Sequence, residues 1–147
     1  MPALRLALTA VLVATLLPVP AAASVATCNG LTATIVGTPR ADHLVGTAGP
    51  DVIVGLGGDD HLDGLGGDDV ICGNGGADVI SGRSGADRLY GNDGRDLIRG
   101  GGGADRMYGG AGSDTLIGGS GPDLAWGASG PDTLFGGSGS DELRGGP

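Results

Sequence analysis

The chain has 147 residues, of which 34 are glycine and none is lysine, and aromatic side chains make up only 3%. Seventeen acidic against eight basic residues leave a formal charge of −9, which disfavours nucleic acid and anionic membrane surfaces as partners and favours cations. So short a chain holds one small domain, and this much glycine without a period would mean disorder, so periodicity decides whether there is a fold at all.

Residues 1–23 carry one early cation at Arg5, an apolar run from Leu6 to Leu17 and a small-residue exit at Ala21, Ala22 and Ala23. The pattern predicts a secretory signal peptide cleaved after Ala23, with Ala26 as the alternative. The run is shorter than the ~20 residues a membrane-spanning helix needs, so the protein is not expected to be membrane-embedded. Export makes the mature chain secreted and extracellular, in an oxidising, calcium-rich medium. Residues 24–36 are expected to form a short N-terminal cap. Thr34-Ile35-Val36 adds one degenerate strand, with Ala33 where later units carry aspartate.

From there the chain is periodic. Aspartate recurs every nine residues, at Asp42, Asp51, Asp60, Asp69, Asp78, Asp87, Asp96, Asp105, Asp114, Asp123, Asp132 and Asp141. A glycine stands five residues before each, from Gly37 to Gly136, and a second stands two before, except where Arg40 takes its place. Two residues after each aspartate comes a large aliphatic side chain, with Ala125 the smallest substitute. The three residues around that aliphatic suffice for a short strand, with the aliphatic facing in and its polar neighbours out. The remaining six must reverse the chain, and glycine at fixed slots admits positive φ there. Two nonapeptides close one 18-residue coil, and coils stack with parallel strands about 4.8 Å apart. The expected fold is all-β: a two-sheet β-solenoid around a thin aliphatic core.

Stacking sets six aspartates on each edge, one coil apart. Two carboxylates at that rise repel by roughly 1 kcal/mol in water and about 3.5 kcal/mol at an effective dielectric of 20. One aliphatic side chain per nine residues cannot offset this together with the entropy of ordering glycine. A cation between coils is required, and carboxylates plus turn carbonyls, all hard oxygen ligands, select Ca²⁺.

The consensus G-x-x-G-x-D-x-U-x (U, large aliphatic), in twelve in-phase copies over residues 37–144, resembles the RTX (repeats-in-toxin, haemolysin-type calcium-binding) nonapeptide family. The resemblance implies a right-handed parallel β-roll over residues 37–147, with each ion held between turns of adjacent coils on one edge. Six turns per edge leave five gaps, hence up to about ten Ca²⁺ ions on the twelve aspartates. Three residues follow the last unit, without the C-terminal secretion signal usual in that family, in keeping with export through the N-terminus.

Cys28 and Cys72 are the two cysteines, and export favours a disulfide between them, the alternative being free or intermolecular thiols. Such a bridge needs residues 24–33 to fold back along the sheet. Tyr90, Tyr108 and Trp126 share one outward slot on successive coils; they either stack on each other or present a strip to a sugar or a partner surface. His43 and His61 fall one coil apart on the other sheet. The acid pairs Asp59-Asp60 and Asp68-Asp69 belong to turns, as calcium ligands or as solvated groups. No nucleophile stands beside either histidine and no second domain supplies a cleft, so no enzyme is expected. The expectation is a secreted calcium-binding module that folds on binding Ca²⁺ and acts in extracellular structure or interaction, its partner a polysaccharide or a cell-surface protein. The alternative is a glycan-binding module using the Tyr90, Tyr108 and Trp126 strip.

Overall fold

Every nine residues the chain makes a strand and a turn, and every eighteen it returns to the same edge. The computed structural model describes residues 25–147; the signal peptide expected over 1–23 lies outside the described residues. The first strands, β1 (Thr27–Cys28) and β2 (Leu31–Thr32), pair antiparallel as a hairpin. All later strands alternate between two parallel sheets. One sheet takes β3 (Ile35–Val36), β5 (Val52–Gly57), β7 (Val70–Gly75), β9 (Arg88–Gly94), β11 (Arg106–Gly112), β13 (Leu124–Ser129) and β15 (Glu142–Arg144). The other takes β4 (His43–Val45), β6 (His61–Asp63), β8 (Val79–Ser84), β10 (Leu97–Gly102), β12 (Thr115–Ser120) and β14 (Thr133–Ser138).

The register follows the 18-residue coil. Ile53, Ile71, Leu89, Met107, Ala125 and Leu143 are Cα partners in succession across one sheet. Leu44, Leu62, Ile80, Ile98, Leu116 and Leu134 do the same across the other. These two columns face each other and are the core: Ile53, Leu62, Ile71, Ile80, Leu89, Ile98, Met107, Leu116 and Ala125 are fully buried. Each large aliphatic contributes about 1.5–3 kcal/mol on burial. Ile35 pairs with Ile53 and packs against the column, so the strand expected before the first aspartate is present.

Three features differ from the sequence expectation. Most strands run six or seven residues rather than three, because ladder pairing continues through the first glycine into the turn, as in Gly101 with Gly119. Positive φ falls at one of the two expected glycine slots, and at a further place besides. It occurs at the second glycine, as at Gly103 (φ 132°), and at the turn tip four residues before the aspartate, where Leu56 (φ 85°), Leu65 (φ 71°) and Arg83 (φ 74°) adopt it without being glycine. The first glycine needs no such freedom, and its reason lies in the site described below. Finally, the outer face of the seven-stranded sheet is not wet throughout. The hairpin of β1 and β2 folds back over it, and Val54, Val70 and Cys72 are buried beneath with Cys28. The sulfurs of Cys28 and Cys72 are bonded at 2.00 Å, joining the hairpin to β7.

Candidate metal centre

Each repeat aspartate stands where the turn ends and the next strand begins, with its side chain turned back under its own turn. One carboxylate oxygen has a fixed partner. The backbone N–H of the aspartate 18 residues earlier donates to Oδ1: Asp60 to Asp78 at 2.8 Å, Asp69 to Asp87 at 2.9 Å, Asp87 to Asp105 at 2.9 Å, and so on to Asp123 and Asp141 at 3.0 Å. The aspartates of successive coils are thus tied by hydrogen bonds as well as set against each other by charge.

The second oxygen has none. Oδ2 of Asp60, Asp69, Asp78, Asp87, Asp96, Asp105, Asp114, Asp123 and Asp132 is buried without a hydrogen-bond partner. A buried carboxylate oxygen left alone costs several kcal/mol in general. Nine in a row, all in the same place in the repeat, call for a positive ligand. The surroundings fit a hard cation. A Cβ placed on Gly109 would stand 2.5 Å from Asp114 Oδ2 and 2.7 Å from the carbonyl oxygen of Gly127, one coil on. The same two oxygens, the carboxylate of the repeat and a glycine carbonyl of the next coil, crowd the first glycine from Gly55 through Gly127. That is why this slot is glycine: any side chain would fill an oxygen-lined cradle. Among the described residues no three His, Cys, Asp or Glu side chains converge on one point, so an ion held here takes most of its ligands from backbone carbonyls. Such a donor set suits Ca²⁺, which accepts six to eight oxygens in flexible geometry.

The electrostatics agree in direction. Burial pushes the carboxyls of Asp69, Asp87, Asp96 and Asp105 up to about 6, the N–H bond opposes it, and neighbouring carboxylates add to the rise. Asp60, Asp78, Asp114 and Asp123 are raised for the same leading reason. Loss of water, rather than the repulsion between carboxylates that the spacing implies, is the larger cost of ionising the ladder.

The first two aspartates are different. Thr38 stands at the turn tip before Asp42, and its N–H (2.6 Å) and hydroxyl (2.8 Å) both donate to Asp42 Oδ2. Thr47 does the same for Asp51, at 2.7 and 2.9 Å. Asp51 Oδ1 also receives the Thr34 hydroxyl at 3.3 Å. These closed turns are not among the sequence expectations; the one signal for them is that threonine stands in that slot only in these two units. Asp141, in the last coil, receives the Asp123 N–H on Oδ1.

The remaining candidates have plain positions. The side chains of Asp59 and Asp68 accept the N–H of Ala77 and Ala86 on the next coil, each at 2.8 Å, and so act as turn braces. Asp63, on an outer face, pairs with Arg83 through Nε (2.6 Å) and Nη2 (2.5 Å), which holds its carboxyl below the usual range. His43 and His61 meet edge to face, ring centres 4.9 Å apart. Tyr90, Tyr108 and Trp126 stack face on face at 4.9 and 4.7 Å. The column is closed at one end by Arg144 over Trp126 and at the other by the disulfide cluster against Tyr90, whose hydroxyl receives the Asn29 amide. The ring faces a sugar would stack on are covered by one another.

A family model described as the RTX calcium-binding nonapeptide repeat matches the chain over residues 36–71, 73–107, 81–116, 90–125 and 117–147. No curated protein and no solved structure matches the chain.

Proposed function

Because the chain belongs to the RTX calcium-binding nonapeptide repeat family, we propose that it is a secreted protein whose coils assemble only as Ca²⁺ fills the carboxylate ladder, and which then serves outside the cell as a structural or interaction module. The observation that carries this reading is the unbroken run of nine buried, unpartnered Oδ2 atoms beside glycine carbonyls. Ionised at neutral pH and stripped of water, these carboxylates oppose the coil they sit in, and a divalent cation reverses the sign of that contribution. Folding and binding are then one equilibrium.

Secretion is supported by the pattern of residues 1–23 and by the disulfide, which an oxidising compartment preserves. The calcium reading is tested by titrating chelated protein with Ca²⁺ while following heat and far-ultraviolet circular dichroism together. Expected is a cooperative gain of β signal that Mg²⁺ at the same concentration does not produce. An unchanged β signal in excess chelator would overturn it. Secretion is tested by sequencing the N-terminus of protein recovered from the medium, expected at Ser24 or Thr27; retention of all the protein within cells would sink it.

A further inference from the structure

The two ends of the rod are built differently. At the N-terminal end Oδ2 of the first two repeat aspartates, Asp42 and Asp51, already has protein donors, whereas from Asp60 onward it has none. Thr38 and Thr47 each aim an N–H and a hydroxyl at the Oδ2 of the following aspartate. A cation brought to either oxygen would face two donor hydrogens. The Thr34 hydroxyl accepts the Val52 N–H at 3.0 Å and shares its one proton between the Val52 carbonyl at 3.1 Å and Asp51 Oδ1 at 3.3 Å, the oxygen that an earlier aspartate N–H reaches in later coils. Over this segment lies the β1–β2 hairpin, burying Val54, Val70 and Cys72 on the face that other coils leave to solvent, with the Ala33 N–H bonded to the Ala26 carbonyl at 3.0 Å. The Cys28–Cys72 bond closes a 44-residue separation and ties the hairpin to the third strand of its sheet, β7. The early coils therefore have a second hydrophobic cluster and a covalent tie. None of this recurs further along: beyond β9 no hairpin lies over the outer face of the seven-stranded sheet, and the second cluster ends at Tyr90.

We propose that residues 27–57, clamped to β7 by the disulfide, form a cation-independent template, and that Ca²⁺ adds the remaining coils to it in order from the N-terminal side. The physical reason is that a parallel coil gains its ladder bonds only against a coil already formed, so an uncapped solenoid must first assemble an unfavourable nucleus. Here the nucleus is supplied by threonine donors and a cross-link rather than by metal. The template is redox-sensitive, since the cross-link limits the unfolded ensemble. The proposal rests on the calcium reading above for the later coils but not for the template.

The test is hydrogen exchange followed by mass spectrometry on the oxidised full chain, in chelator and in Ca²⁺, beside Cys28→Ser and the Thr38→Val/Thr47→Val double variant. Expected in chelator is protection of peptides within 27–57 and 70–75, with free exchange from about residue 79 onward; Ca²⁺ then protects the rest. Cys28→Ser should lose the protection seen in chelator and raise the Ca²⁺ midpoint about twofold, a cross-link's stabilisation being spread over many cooperating sites. The threonine variant should lose the same protection with its disulfide intact, yet fold fully in Ca²⁺. Uniform free exchange of the oxidised chain in chelator, followed by protection everywhere in Ca²⁺, would overturn the template and leave the calcium reading standing. Protection of 27–57 with no response to Ca²⁺ elsewhere would do the reverse.

Discussion

At the scale of one residue, the repeat aspartate does two things with one side chain, and they separate by mutation. Asp105 Oδ1 accepts the Asp87 N–H, a bond a neutral amide oxygen also accepts, while Oδ2 is buried with no partner. Asp105→Asn keeps the first role and removes the charge that the second requires. In chelator the variant is expected to be more compact than the parent, because burial no longer opposes an ionised group there. In Ca²⁺ it is expected to be less stable, by about 1–3 kcal/mol, the range for losing one charged partner of a buried polar site. Sedimentation velocity of both proteins in chelator and thermal melts of both in Ca²⁺ check this. A variant destabilised in both conditions would show Asp105 to be a turn residue and nothing more. The first glycine belongs to the same unit of design: its missing Cβ is what lets carboxylate and carbonyl oxygens approach each other, and the turn tips, not this slot, carry the positive φ.

At the scale of the strand, each core residue touches only its own sheet neighbours and the facing column, so stability is nearly one-dimensional. Ile98 is fully buried between Ile80 and Leu116 in its sheet. Ile98→Ala is expected to cost about 2–5 kcal/mol in the loaded protein, and to divide the rod. Coils after β10 should exchange amide hydrogens faster than those before it, as read peptide by peptide in Ca²⁺; equal loosening on both sides would mean the rod unfolds as one block. The strands and their partners were legible in the sequence because the period is strict: a fixed spacing of nine specifies which Ile or Leu lies over which, and the family match covers the same residues. What fell outside that period was less legible. The hairpin of residues 27–32 has no repeat, and its fold-back was visible only as a condition for joining Cys28 to Cys72. Positive φ at Leu56 and Arg83 was hidden because leucine and arginine do not normally signal that conformation. The closed turns at Thr38 and Thr47 depend on hydroxyl direction, which spacing does not encode.

For the molecule as a whole, the carboxylate ladder makes stability depend on pH in opposite senses with and without metal. The carboxyls of Asp69, Asp87, Asp96 and Asp105 lie near 6 in the metal-free fold, above the 3.8 of an exposed aspartate. A group whose folded value is raised binds its proton more tightly when folded, so acid favours the fold. The penalty these groups impose is absent below about 4, grows between roughly 4 and 6, and is complete above 6. With Ca²⁺ the sign turns over, since protons compete with the ion for the same oxygens and binding weakens as the pH falls through that window. The expected outcome is that chelated protein gains β signal on acidification from pH 7 to 4, while the Ca²⁺ concentration needed for half folding rises over the same range. Circular dichroism at fixed steps, with sedimentation to exclude aggregates, reads the first; titration at each pH reads the second. A chelated chain that stays unstructured at pH 4 would mean that desolvation of these carboxylates is not what holds the empty rod apart.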